Sequence, residues 1–315
     1  MFDNWEITVV GSGTMGHSIA QQYAVNGFHT TLVDTSMEQL EKARKRIADN
    51  IAALIELGEA TELDMERAKL ISYDTDIRNS VAKANLVVEC IIEDANVKKE
   101  LYALLDECCS SECIIASNTS ALNIFEVAKD ISNPQRLIIA HWFNPPHIMP
   151  LVEVVSGPKT SPETVNTVKN LLLKIGKKPA LISQCVPGFI INRLSCALLR
   201  EALYMVSQGW TTAEDIDTAI VSTYGPRYAF EGHLELYDYV GWDVVKSVLG
   251  FMNPLLCSST DLSPIVEDLV SKGHLGVKSG KGIKDYSNVD INQLQKERGI
   301  KIIKMLKAAK SLNNE

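Results

Sequence analysis

The chain predicts a parallel-sheet α/β domain followed by an all-helical one. Three observations carry this expectation. Short apolar runs alternate with amphipathic segments through the first half, as strands and covering helices do in a parallel sheet. A glycine-rich turn, Gly11-Ser12-Gly13-Thr14-Met15-Gly16, stands between the first such run and the first helical segment. After Pro187-Gly188 the strand-like runs stop and helical patterns alone continue. The boundary is therefore placed between residues 1–186 and 187–315.

Taken in order, EITVV (6–10) and HTTLV (29–33) are the first two expected strands. Ser36-Met37-Glu38-Gln39 has capping-box spacing, and Leu40, Ala43, Ile47, Ile51 and Leu54 then recur on one helical face ending near Gly58. Thr61 to Leu70 is its expected returning partner, which makes a helical hairpin beside the sheet. LVVECII (86–92), CIIA (113–116), RLIIAHW (136–142) and LVEVV (151–155) extend the strand series. Beyond Gly188 a long helix is followed by helical segments near 212–223, 241–250, 263–272 and 292–310, with a glycine- and lysine-rich loop at 276–287.

Composition narrows the function classes. With 46% hydrophobic and 22% charged residues the chain has the balance of a globular enzyme. A net charge of −8 argues against nucleic acid as a partner. No apolar run approaches the roughly 20 residues of a membrane span, and the N-terminus lacks a basic signal region, so a cytoplasmic location is expected. The seven cysteines are irregularly spaced. Cys108, Cys109 and Cys113 cluster with no histidine near in sequence, so free thiols are expected and no metal site.

The glycine turn follows a strand and opens a helix. Gly11 permits the tight turn, Gly13 lets the backbone approach a pyrophosphate, and Gly16 allows close helix–strand packing. Asp34 ends the next strand about 20 residues on, where a carboxylate binds a ribose and repels a 2′-phosphate. The pattern is that of a Rossmann-type NAD site.

Residues 141–155, HWFNPPHIMPLVEVV, bend between two apolar runs around Pro145, Pro146 and Pro150. A chain so bent can bring His141 and Glu153 side by side at the rim of the sheet. A carboxylate on one imidazole nitrogen fixes the tautomer and leaves the other as an acid or base.

The glycine turn, SNTSAL (117–122), HWFNPP (141–146), PLVEVV (150–155), PGFIINRL (187–194) and GVKSGKG (276–282) occur in that order. On these motifs the chain resembles the L-3-hydroxyacyl-CoA dehydrogenase family from about residue 5 to 287. The resemblance implies an α/β Rossmann-type NAD-binding domain, an all-α C-terminal domain that forms a homodimer, and a role in fatty acid metabolism. Carried onto matching positions, it implies His141 and Glu153 as the catalytic pair. Ser120 would bond the reacting oxygen, Asn192 would hold substrate, and Asn144 would support the histidine's surroundings at the substrate side. Glu93 and Lys98 fall at the nicotinamide end; Asn118, with Thr14 and Met15 of the glycine turn, completes the expected cofactor set.

The chain also departs from the acyl-CoA pattern. No lysine occurs from Asn50 to Ala60, and the paired prolines and PRYAFEGHLEL (226–236) resemble the branch of L-gulonate 3-dehydrogenase and lambda-crystallin. The leading expectation is a short-chain 3-hydroxyacyl-CoA dehydrogenase. The alternatives are the same chemistry on a free 3-hydroxy acid or polar alcohol, and a non-catalytic NAD-binding protein of crystallin type. Arg227, with its bidentate fork, is the candidate for a substrate carboxylate. His147 lies outside the family pattern, and His17 is expected on a helix surface.

Overall fold

The structure, a computed structural model, describes Phe2 and residues 4–313. Its contacts divide it into two compact units, one ending at Ile191 and one beginning at Asn192.

The first unit is built on one eight-stranded sheet. Its strands are β1 (Glu6–Val10), β2 (His29–Val33), β3 (Ser72–Asp74), β4 (Leu86–Glu89), β5 (Ile114–Ser117), β6 (Leu137–Trp142), β7 (Leu151–Val155) and β8 (Lys178–Ile182). They lie in the order β3-β2-β1-β4-β5-β6-β7-β8, and every neighbouring pair is parallel except β6 and β7. The central strands are buried on both faces, which explains why they read as unbroken apolar runs.

Helices cover both faces. They are α1 (Gly16–Val25), α2 (Met37–Glu56), α3 (Glu62–Lys69), α4 (Ile77–Val81), α5 (Ala95–Cys108), α6 (Ile124–Val127) and α7 (Pro162–Lys174). One apolar layer joins α1, α2 and α7 through Ile19, Tyr23, Leu40, Ile47 and Leu171; the other joins α5 and α6 through Leu101, Leu105 and Ile124. The expected hairpin is α2 and α3. The Ser36 hydroxyl accepts the Gln39 N–H, and α2 buries Leu40, Ala43, Ile47 and Ile51. Gly58, at φ +69°, turns the chain, and a Thr61–Asp64 capping box starts α3.

The strand expected over residues 86–92 stops at Glu89. Its own carboxylate accepts the Ile91 N–H at 2.9 Å, folding the backbone over the side chain and leaving Ile92 exposed. Strands β3 and β8 are additions to the expected series.

The second unit holds α8 (Ile191–Ser207, its first residue still in the first unit), α9 (Ala213–Arg227), α10 (His233–Val240), α11 (Trp242–Met252), α12 (Pro264–Ser271) and α13 (Ile291–Leu312). Among its described residues only Leu203, Val245 and Ile303 are buried apolar side chains. Trp210, Tyr239, Trp242, Phe251 and Leu262 are each more than half exposed. No described helix is long and apolar enough to cross a membrane.

Candidate active site

The glycine turn has the shape its residues demand. Gly11 sits at φ +99°, and a Cβ there would strike the Cys90 carbonyl. A Cβ on Gly16 would collide with the Gly11 carbonyl, so α1 can start this close to β1 only with glycine. At Gly13 a Cβ would meet nothing within 4 Å. The tightness at Gly11 and Gly16 is thus internal, whereas the space above Gly13 is open to a ligand. With the unpaired N–H groups at the start of α1, that space fits a pyrophosphate. Thr14 is exposed and Met15, the residue before α1, half-buried. The Asp34 carboxylate accepts the Ser12 N–H at 2.8 Å and the Ser12 hydroxyl at 2.7 Å, which ties the end of β2 to the turn.

Across the sheet, the antiparallel register of β6 and β7 sets His141 directly opposite Glu153. Their side chains meet, Nδ1 to Oε2, at 2.8 Å. Both are buried, and Glu153 also accepts the backbone N–H groups of Ile190 (3.0 Å) and Ile191 (2.8 Å). Burial raises the Glu153 pKa, but the bonds from His141, Ile191 and Ile190 outweigh it and hold the carboxyl below its usual range. A charged carboxylate only accepts, so His141 donates through Nδ1–H, and in the neutral imidazole the lone pair then lies on Nε2. The rings of Phe143 and Phe189 flank the imidazole at 4.6 and 5.4 Å. Phe189 adopts a left-handed backbone (φ +51°) directly before the two N–H groups that bind Glu153.

The SNTS segment follows β5. The Asn118 side-chain oxygen accepts the Trp142 N–H at 2.9 Å, so Asn118 braces the residue next to His141. Glu93 accepts the Thr119 hydroxyl at 2.5 Å and the N–H groups of Ser120 (3.1 Å) and Ala121 (3.2 Å). Burial opposes the Glu93 charge, yet Thr119, Lys98 and Ala121 bring its pKa below the ordinary value. Lys98 is only 1% exposed and lies between Glu93 (3.2 Å) and Glu89 (2.6 Å). Its amine therefore bridges two carboxylates, the second of them on Glu93 at the same loop.

Two histidines also differ from expectation or extend it. His17 is buried, not on a surface: its Nδ1 donates to the carbonyl of Gly13, four residues earlier, at 2.7 Å. His147 meets the hydroxyl of Ser18 twice, through Nδ1 (2.8 Å) and through its backbone N–H (3.0 Å). Lys177 is buried under the same turn and donates to the carbonyls of Pro146 and Met149. Asn144 is exposed, at a cis bond to Pro145. Asn192, in the first turn of α8, and Arg227, in the last of α9, belong to the second unit. No grouping of metal-ligand side chains occurs among the described residues, and Cys108, Cys109 and Cys113 are free thiols.

Residues 6–185 match the 3-hydroxyacyl-CoA dehydrogenase NAD binding domain, and residues 188–286 match the C-terminal domain of the same enzymes. The chain belongs to the 3-hydroxyacyl-CoA dehydrogenase family. It is 36% identical to the 5-formyl-3-hydroxy-2-methylpyridine 4-carboxylate 5-dehydrogenase of Mesorhizobium japonicum, over 94% of this chain and 96% of that one. It is 34% identical to a 3-hydroxybutyryl-CoA dehydrogenase of Clostridioides difficile, over 90% and 99%. A crystal structure of a 5-formyl-3-hydroxy-2-methylpyridine 4-carboxylic acid 5-dehydrogenase, described as an NAD+-dependent dismutase, superposes with a TM-score of 0.89 at 34% identity, covering 98% and 99%. The 3-hydroxybutyryl-CoA dehydrogenase of Escherichia coli gives 0.76 at 35% identity, covering 91% of this chain and 61% of its own. As a member of the 3-hydroxyacyl-CoA dehydrogenase family this chain is an NAD-dependent dehydrogenase acting on hydroxyl groups.

Glu89, Thr119 and Phe189 join the expected residues. Glu89 had one sequence signal, a carboxylate inside the otherwise apolar run LVVECII.

Proposed function

We propose that the His141–Glu153 pair carries the proton chemistry of hydride transfer between NAD and a small alcohol bearing a free carboxylate. The observation that supports this most directly is the 2.8 Å bond across the β6–β7 register. When bound, NAD supplies the hydride acceptor. His141 Nε2 takes the hydroxyl proton as the carbonyl forms, and Glu153 keeps its bond to Nδ1–H while the imidazole becomes positive. Glu153 cannot swing away, because the Ile190 and Ile191 N–H groups hold its second oxygen. General base catalysis of this kind contributes about 10²–10⁴-fold, or ~3–5 kcal/mol. Ser120 bonds the reacting oxygen, and Asn144 confines the substrate.

The free-acid reading draws on the near-complete overlap with the pyridine carboxylate dehydrogenase and on the hairpin. Lys42, Arg44 and Lys69 are each paired with an acid of their own helix (Glu38, Glu41, Glu66), and after Lys45 no lysine occurs until Lys69. A 3-hydroxyacyl-CoA thioester is the second reading, favoured by the family match over both domains. NADH absorbance assays with free 3-hydroxybutyrate, L-gulonate, an aromatic hydroxymethyl carboxylate and 3-hydroxybutyryl-CoA separate them. The proposal expects higher kcat/KM on a free acid. A preference for the thioester establishes the second reading, and NADH binding without turnover of any of them refutes both.

The second unit supports a homodimer. Three buried apolar residues among those described are too few to hold six helices, and the unit's exposed aromatic and aliphatic side chains exceed what a monomer usually leaves in water. A second copy of the chain covers them, with the apolar character of an obligate interface.

A further inference from the structure

We propose that Glu89, buried at the end of β4, is a positioning residue that holds the Thr119–Ala121 backbone in its working geometry. Its role rests on the reading above, in which Ser120 bonds the reacting oxygen.

Glu89 is wholly buried and accepts from four donors: the Ile91 N–H (2.9 Å), Lys98 Nζ (2.6 Å), the Tyr102 hydroxyl (2.9 Å) and the Ser117 hydroxyl (2.6 Å). Two routes lead from it to one loop. Through Lys98 it reaches Glu93, which accepts from Thr119, Ser120 and Ala121. Through Ser117 it reaches the Thr119 N–H, which donates to the Ser117 hydroxyl at 3.2 Å. Glu93 itself is exposed, so Lys98 is the buried anchor that keeps its carboxylate on the loop.

Stability alone is a poor reason for this arrangement. A buried carboxylate–lysine pair costs desolvation, and well-packed apolar residues of similar size often stabilise as much or more. What an apolar pair lacks is a charge aimed at Glu93. The pair therefore converts a rigid strand end into a fixed position for three loop residues. Lys98 acts in the same way, through Glu93.

The test pairs two substitutions so that no charge is stranded. In Glu89→Gln/Lys98→Met both charges leave the interior together. The expected result is a melting temperature near the parent's, with hydrogen exchange at the Ser120 and Ala121 amides at least ~10-fold faster. The kcat falls by ~10-fold or more while KM changes little, since charge-assisted bonds of this class correspond to about that factor. Parental exchange and parental kcat in the double variant overturn the proposal. A readout without any variant guards against misfolding: in the parent protein these two amides must exchange slowly despite the loop's exposure, and fast exchange there also overturns it. Exchange needs no substrate. Failure of the parent to oxidise any hydroxy compound thus refutes the proposed reaction separately from the positioning role.

Discussion

At the residue scale, the proposed proton chemistry rests on one imidazole and one carboxylate that meet at 2.8 Å. Glu153 stays charged because three donors outweigh its burial. With its folded pKa below the unfolded value, the stability it contributes is present above about pH 4.5 and lost as pH falls through the lower folded value. Glu153→Gln keeps a hydrogen-bonding side chain but not the charge that would stabilise an imidazolium in the proposed step; His141→Gln removes the proposed base. Each variant is expected to lose at least ~100-fold in kcat while the NADH dissociation constant, read by fluorescence titration, stays near the parent's. Burial, with His17 and Lys177 nearby, pushes the His147 pKa down to about 4. Between that value and the reference of about 6.5 the unfolded chain binds the extra proton, so stability falls as pH drops across this window, by up to ~3 kcal/mol. Denaturant midpoints from pH 7 to 4 check this, and His147→Asn should flatten the decline.

At the element scale, two glycines of one turn have separable duties. Gly13→Ala adds a methyl group where the protein has nothing within 4 Å. It is expected to melt like the parent and bind NADH at least ~10-fold more weakly, because the methyl occupies cofactor space. Gly16→Ala drives its methyl into the Gly11 carbonyl and is expected to lower the melting temperature as well. If both variants melted alike, the division of duties would be wrong. Such turns were legible from sequence because each glycine answers a local need. The His141–Glu153 pair was legible for a similar reason: both residues lie on one segment whose prolines announce a reversal. Strand β3, three residues with polar ends, and β8, which opens Lys178-Pro179, carry too little apolar pattern to stand out. Glu89 was hidden because its four donors come from β5, α5 and the following turn, which only the folded sheet brings together. His17 was misplaced because its Gly13 partner is a backbone carbonyl, invisible to side-chain periodicity.

At the scale of the whole molecule, the two units differ in how they reach stability. The first has two continuous apolar layers against one sheet, whereas the second shows few buried apolar residues of its own. Light scattering at micromolar concentration is expected to give twice the chain mass of 34.7 kDa, and charged substitutions at Trp242 and Phe251 should lower both mass and thermal stability. A monomer with unchanged melting behaviour would refute the dimer. The sheet itself carries a different constraint. Seven neighbouring pairs link its eight strands, and the single antiparallel one joins β6 to β7. Side chains alternate faces along a strand, so a one-residue slip of β7 would turn Glu153 away from His141. The connecting segment 143–150 can change side chains without altering that phase, provided any change of length is absorbed inside it. In this part of the fold, chemical identity can drift while phase cannot.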